Sequence, residues 1–503
     1  MNKSAVIVGG GLGGLFTGAI LSKEGVKVTV IEKNATVGGG LQSFSRFGEI
    51  FDTGMHVIGG MNPGGNIRRI CDYLGITDRM HLKEVGPETI DLLYFAEDKR
   101  FYHIAKGRNE FVESLAASFP DQRANLVKYM DAVYKIVDGM DMFFLRPVSD
   151  FVPVHSGDFM LPVDSFIAKY ISDAHLRSVL AYANPLYGGY PGKTPAFIHA
   201  LLTVLYVNGP NRFAGGSYLF AETLRDFIEK HGGEVVVGDA VVRVNTENRL
   251  VTSVITRKDR EFKADFCICA IYPGSFFPLL DDASVLPKSY RTRLDQIPVS
   301  YSAFTLSIKL KKNSFRYMDY SAYYMGRYDR IWDFGRSDAG WPLGFMYMTP
   351  PEIEQGEYAS KMIVTAPMSW DYVKRWEDTC VGHRGKDYEE WKRMCAERIL
   401  DCMTEIYRGF RDCVEAVNTA SPLTIRDYYG IKEGAMCGYS KDCNNMILSQ
   451  VPVVTKVKNL FLTGQNCRLH GFGGVPLTAI NTCEAILGRN YVLDKINGFE
   501  KGL

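Results

Sequence analysis

The sequence predicts an α/β protein in which a Rossmann-like dinucleotide domain is joined to a mixed α+β domain. Three observations predict it. A glycine fingerprint sits between two apolar strands in the first forty residues. A second glycine-rich turn follows a short apolar run at 460–462. The long chain between them is apolar and rich in aromatics.

The first element is Ala5-Val6-Ile7-Val8, short and continuously apolar, as a buried parallel strand requires. Gly9-Gly10-Gly11-Leu12-Gly13-Gly14 follows, then an apolar helical stretch, then the strand Val26-Lys27-Val28-Thr29-Val30-Ile31, closed by Glu32. In this βαβ layout Gly9 permits the sharp turn, Gly11 admits a pyrophosphate to the backbone, and Gly14 lets the helix pack on the sheet. The helix start offers unpaired N–H groups and a partial positive charge to phosphate. Glu32 stands 21 residues after Gly11, the right reach for both hydroxyls of an adenosine ribose.

The next glycines narrow the ligand. Gly38-Gly39 resembles the extended fingerprint of two-dinucleotide-domain flavoproteins, where such a pair lets the chain run beneath a flavin dinucleotide. That resemblance implies FAD. Those proteins usually carry Arg after the pair, whereas Gly40-Leu41 follows here, so a cation on the pyrophosphate side is missing. Gly13, Lys33, Gln42 and Ser43 adjoin the fingerprint and are expected among the cofactor contacts.

Three separated segments, 1–105, 212–275 and 455–503, are expected to build one discontinuous FAD-binding domain. The middle segment reads as a helix from Tyr218 to Lys230, stopped by His231-Gly232-Gly233, then strand material at Val235-Val236-Val237, Val241 to Val244, Val251 to Ile255 and Phe266 to Ile271. Residues 106–211 read as a mainly helical insertion facing substrate or membrane. Residues 276–454 read as a mixed α+β substrate domain, with strands at Tyr301 to Leu310 and Met362 to Ala366 and a helix around Glu389 to Tyr407. In the last segment Leu460-Phe461-Leu462 leads through Thr463-Gly464-Gln465 into a loop, His470 to Leu477, with a helix expected from about Thr478 to Leu487. Gly464 is placed to meet the pyrophosphate. Gly474 and the amides near Val475 to Leu477 are placed to face the flavin edge that gains negative charge on reduction.

Lys and Arg number 58 and Asp and Glu 57, a net +1 with the signs interspersed, so no clustered cationic face for nucleic acid is expected. No stretch of about 18 uncharged apolar residues reads as a membrane span, which leaves peripheral membrane contact. The eleven cysteines form no CxxC pair or metal-spaced set, and Cys267 and Cys269 alternate onto one apolar face. With a first strand starting within a few residues of Met1, the expected location is cytoplasmic and no metal is expected.

Taken together, the N-terminal fingerprint, Phe51-Asp52-Thr53-Gly54-Met55-His56, Gly232-Gly233-Glu234 with Val241 and Val244, and the Thr-Gly-Gln…Gly-Gly-Val-Pro loop resemble the phytoene desaturase and carotenoid isomerase superfamily of flavoproteins. Ser421-Pro422-Leu423-Thr424, Gly434-Ala435-Met436, Gly438-Tyr439 and Gln465, where many relatives carry an acid, are most similar to its all-trans-retinol 13,14-reductase branch. By that resemblance Gly9, Gly11, Gly14, Glu32, Gly38, Gly39, Val241, Gly464 and Val475 match FAD-contacting positions, Val241 being the one whose backbone meets adenine. Gln465 is expected to hydrogen-bond ribityl or phosphate oxygens.

The resemblance implies hydride transfer between flavin N5 and a carbon–carbon bond of a hydrophobic polyene or isoprenoid lipid, in the direction of saturation. Desaturation or isomerisation by the same parts, and flavin amine oxidation, are the alternatives. No second complete G-x-G-x-x-G is present, so NAD(P)H would act as a transient reductant or a redox protein would take its place. His470, inside the glycine loop, and His56, after the Asp-Thr-Gly turn, are the candidate acid–base residues; Tyr187 reads as a simple turn aromatic, with a place facing the pocket as the alternative. Phe143-Phe144-Leu145, Phe151-Val152-Pro153 and Leu201 to Tyr206 would line a long pocket or enter a membrane shallowly.

Overall fold

A computed structural model describes residues 3–54, 57–86, 88–147 and 155–501. Five parallel strands form one sheet, in the order Glu234–Val236, Lys27–Ile31, Ser4–Val8, Phe266–Cys269, Leu460–Leu462. Each is short and nearly all apolar, because both faces of the sheet are covered, one by helices and the other chiefly by the antiparallel strands that carry Val244, Val251 and Val254. Cys267 and Cys269 are buried in this core, as their alternation predicts. From the central strand Ser4–Val8, the helix Leu12–Lys23 crosses to Lys27–Ile31 on one side, while Phe266–Cys269 pairs on the other. That reversal creates the crevice, beyond the carboxyl ends of the strands, where doubly wound sheets take ligands. Leu12–Lys23 is itself buried almost all round, between the helices Tyr218–Lys230 and Gly471–Leu487. A Cβ at Gly14 would lie 2.0 Å from the Gly9 carbonyl oxygen, so only glycine lets this helix lie so close to the strand.

A second sheet has seven strands in the order Val414–Ala420, Ser302–Leu310, Lys361–Met368, Gly344–Met348, Ser321–Met325, Asp91–Phe95, Arg100–Ile104. This corrects the sequence-based boundary at 105. The hairpin Asp91–Ile104 joins the second sheet, because Asp91–Phe95 pairs in parallel with Ser321–Met325. The period-two alternation sorts the faces. Phe304, Leu306 and Ile308 point to one side, where the helix Lys386–Ile406 buries Cys395, Ile399, Leu400 and Met403 against them. Ala303, Thr305, Tyr323, Met325, Met346 and Thr365 line a cavity on the other side.

Residues between the two sheets fold as the helices Arg108–Ala116, Arg123–Asp138, Val163–Tyr170, Ala174–Leu180 and Ala196–Val207. Val241–Glu247, Leu250–Thr256 and Glu261–Phe262 form a separate antiparallel sheet. The last glycine-rich stretch also departs from expectation, since the helix starts at Gly471 rather than near Thr478. Its first turn packs against Leu469 and Leu205: a Cβ at Gly474 would lie 2.4 Å from the Leu469 Cβ, and one at Gly473 2.5 Å from Leu205 Cδ1. The glycines that read as loop punctuation are thus the small residues a crowded helix start needs. Among the described residues, no helix is long and apolar enough to cross a membrane, and no His, Cys, Asp and Glu group has the arrangement of a metal site.

Candidate functional site

The two ends of the chain meet at the crevice. A Cβ at Gly13 would lie 2.7 Å from the Gly464 Cα and 3.0 Å from its nitrogen, so the fingerprint helix and the C-terminal turn touch backbone to backbone. Behind this contact the Thr17 and Thr463 hydroxyls are 3.0 Å apart, and Thr463 N–H donates to the Cys269 carbonyl. The starts of two helices, at Leu12 and Gly471, therefore open on the same space. Each contributes unpaired N–H groups and a positive dipole end. Gly38 N–H donates to the Gly10 carbonyl at 2.8 Å and carries the glycine pair beneath the fingerprint turn.

Glu32 closes the adenosine side. It is 6 % exposed, and its two oxygens accept Gly10 N–H at 2.8 Å and Asn34 N–H at 2.9 Å. Burial pushes its pKa up while these backbone donors oppose the shift. Each oxygen keeps a lone pair for a ribose hydroxyl. Lys33 is lowered by burial, and its Nζ donates to the Asp427 carbonyl at 2.9 Å; Asn34 Nδ2 donates to the Tyr428 carbonyl. Both carbonyls lie in the last turn of the helix Pro422–Tyr429, which favours a cation. The Ser421…Thr424 motif forms the capping box at the other end of that helix.

A cavity of about 520 Å³ runs from Glu32, past Gly9, Gly11, Gly39 and Gly464, into a chamber. Val241, Gln465, Gly474, Val475 and His470 also line it. The chamber walls are the inner face of the seven-stranded sheet, the helix Ala196–Val207 (Leu201, Leu202, Leu205, Tyr206), and Phe143, Leu186 and Tyr187. Among the described lining residues Glu32 is the only carboxylate and Lys33 the only cation with a permanent charge, and both lie at the adenosine end.

Several expected site residues need correction. Gln42 and Ser43 do not line the cavity. Gln42 Nε2 donates to the Thr36 carbonyl at 2.6 Å, and the Ser43 hydroxyl donates to Asp52 at 2.6 Å. Asp52 in turn accepts Ser217 N–H, so this group braces the second segment against the first. The amides expected at Val475 to Leu477 are not the free ones. The first turn is Gly471–Gly474, Pro476 has no N–H, and Val475 and Leu477 lie beyond that turn. His56 and Phe151-Val152-Pro153 lie outside the described residues.

His470 lines the cavity at the start of the C-terminal helix, with Nε2 3.2 Å from the Leu186 carbonyl, to which its N–H donates. Burial, and then the nearby Lys441 ammonium, push its pKa down to about 4, so the ring is neutral at ordinary pH. Sequence reasoning missed His199, which is 2 % exposed within the apolar run Ala196–Val207 and bonded to Tyr187 and Tyr129. It also missed Arg212, fully buried and donating to the Thr349 and Met318 carbonyls and the Tyr317 hydroxyl.

The family description of an NAD(P)-binding Rossmann-like domain fits residues 7–74. An all-trans-retinol 13,14-reductase of Danio rerio is 25% identical to the chain, over 97% of this chain and 87% of that protein. A chloroplastic prolycopene isomerase of an Oncidium hybrid cultivar is 21% identical over 99% and 84%. Among solved structures, putrescine oxidase superposes with a TM-score of 0.63 at 13% identity, over 97% of this chain and 99% of that one, a likeness of fold. The chain is thus similar along nearly its whole length to the retinol 13,14-reductases and prolycopene isomerases, the kinds of protein that its motifs resemble.

Proposed function

We propose that this chain is an FAD-dependent oxidoreductase that saturates a carbon–carbon double bond of a hydrophobic polyene or isoprenoid lipid. One observation carries the reading: a single cavity joins a glycine-lined dinucleotide cradle to an apolar, uncharged chamber. The residues fit FAD. Gly11 and Gly39, and Gly13 and Gly464, approach backbone to backbone and line the cavity without side chains where a pyrophosphate would lie, Glu32 suits a ribose, and Val241 lines the adenosine side. When bound, the flavin supplies hydride exchange at N5.

The chain's own residues do the rest. Backbone N–H groups at two helix starts hold phosphate without a cationic side chain. The first turn Gly471–Gly474 presents donors to the ring edge, and the aromatic walls exclude water and align an extended apolar substrate. An ammonium substrate would meet no carboxylate in the described chamber, which weighs against amine oxidation despite the shared fold.

NAD(P)H visiting transiently is the reductant we favour. Eleven free cysteines support a reducing, cytoplasmic location, with peripheral membrane contact as the route for an apolar substrate. The test is to purify the yellow protein, reduce it without oxygen, add all-trans-retinol or a carotenoid, and weigh the product. Saturation adds two hydrogens. A product lighter by two indicates a desaturase, and one of equal mass an isomerase. A colourless protein that takes up no FAD sinks the reading.

A further inference from the structure

Alkene saturation needs one hydrogen as hydride and one as a proton, so the chamber requires an acid. His470 does not provide it, because the ring is neutral and its Nε2 hydrogen is held by the Leu186 carbonyl. That bond nevertheless brings Leu186, and with it Tyr187, to the start of the C-terminal helix, beside the expected flavin edge. Tyr187 lines the cavity, and its hydroxyl is 3.2 Å from His199 Nδ1. The opposite nitrogen, Nε2, is 2.6 Å from the Tyr129 hydroxyl. All three side chains are buried, and His199 and Tyr129 lie behind the chamber wall, on the packed helices Ala196–Val207 and Arg123–Asp138.

We propose that Tyr187 is the catalytic acid of this chamber, with His199 and Tyr129 as positioning residues that set the direction of its hydroxyl. This deepens the saturase reading and rests on it. A neutral imidazole has one N–H and one lone pair. With the hydrogen on Nε2, it donates to Tyr129 and Nδ1 accepts from Tyr187. With the hydrogen on Nδ1, Tyr129 donates to Nε2, and Nδ1–H donates to the Tyr187 oxygen, freeing the phenol hydrogen to face the substrate. Exchange of the imidazole tautomer, with rotation of the two phenol hydroxyls, switches Tyr187 between the two arrangements and leaves each of the three groups with one hydrogen.

The balance closes. Hydride from reduced flavin, itself recharged by a two-electron donor of the nicotinamide class, forms one C–H bond and carries the electron pair. The Tyr187 O–H bond breaks to form the second C–H bond. The phenolate left behind accepts from His199 Nδ1–H and regains a proton from solvent when product leaves. Burial holds the Tyr187 phenol far above its ordinary pKa and pushes His199 down to about 4, so phenol and imidazole rest neutral between turnovers.

Reduced holoenzyme and Tyr187→Phe are compared by flavin reoxidation on mixing with all-trans-retinol, in H2O and D2O. Tyr187→Phe is expected to keep its flavin spectrum and its affinity for a polyene ketone, read from that probe's absorbance. Its reoxidation should slow by about 10²–10⁴-fold. His199→Phe should lower kcat with KM held, and His199→Gln should recover part of the loss. A second readout needs no turnover: the ¹⁵N spectrum of His199 in resting wild-type protein should show a neutral, hydrogen-bonded ring whose Nδ1 signal moves in Tyr187→Phe. Unaltered reoxidation in Tyr187→Phe, with flavin and ketone still bound, overturns the proposal and leaves the saturase reading intact. Wild-type protein that binds neither flavin nor ketone removes that reading itself. Should Tyr187→Phe not fold, a His199 spectrum of an imidazolium, or of a ring with Nδ1 free, overturns the proposal.

Discussion

At the scale of single residues, the contact between Gly13 and Gly464 sets the tightest demand. An added Cβ would strike backbone 2.7 Å away, and no rotamer change relieves a backbone clash. Gly13→Ala is therefore expected to destabilise the protein by about 1–3 kcal/mol and to weaken FAD binding by at least about tenfold. Thermal unfolding of the apoprotein and a fluorescence titration with FAD measure the two effects. Gly157→Ala, whose Cβ would meet nothing within 4 Å, should change neither. Residues of the fingerprint were legible because their meaning is local: spacing alone puts Gly9 and Gly11 on the turn and Glu32 at the end of the next strand. His199 was not legible, because a histidine inside Ala196–Val207 reads as core until the fold brings Tyr129 and Tyr187 to its two nitrogens. Gln42 and Ser43 misled for the same reason, since adjacency to a motif does not say which way a side chain turns.

At the scale of elements, Ala196–Val207 has two jobs. One side carries His199 into the core, and the other presents Leu201, Leu202 and Leu205 to the chamber. Leu202→Trp should shrink the chamber without touching the glycine cradle. Turnover of a bulky polyene should fall by about tenfold or more, the loss expected when a near-attack pose is displaced, while the flavin spectrum and affinity stay unchanged. Steady-state kinetics beside a visible spectrum separate the two. Element type was mostly legible here, since apolar periodicity marks strands and helices. Partnership was not. The hairpin Asp91–Ile104 falls inside the segment 1–105 read as nucleotide-binding, because alternation fixes a strand's faces and not its neighbour. Only the parallel pairing with Ser321–Met325 assigns it, and there Asp91, pushed up to about 7 by burial, accepts from Tyr182.

At the scale of the whole molecule, the cavity connects both sheets, and a ligand filling the cradle would touch segments from the start, middle and end of the chain. FAD should accordingly act as a clasp. At a free concentration near one hundred times its dissociation constant it should add about 2.7 kcal/mol to stability. Differential scanning calorimetry with and without FAD should show a rise in Tm that grows with FAD concentration. A Tm indifferent to FAD contradicts the clasp. The two-lobed plan was legible from the two glycine motifs at opposite ends, whereas the continuity between cradle and chamber exists only once both sheets are assembled.

The outer neighbour of Phe266–Cys269 in the parallel sheet, Leu460–Leu462, is encoded nearly two hundred residues later. During translation the inner strand leaves the ribosome with that edge bare for roughly 10–40 s, at ordinary elongation rates. An unpaired edge of Phe-Cys-Ile-Cys is a template for stray pairing between nascent chains. A ligand of the cradle would likewise meet its full set of partners only once Gly464 and the helix Gly471–Leu487 have been made.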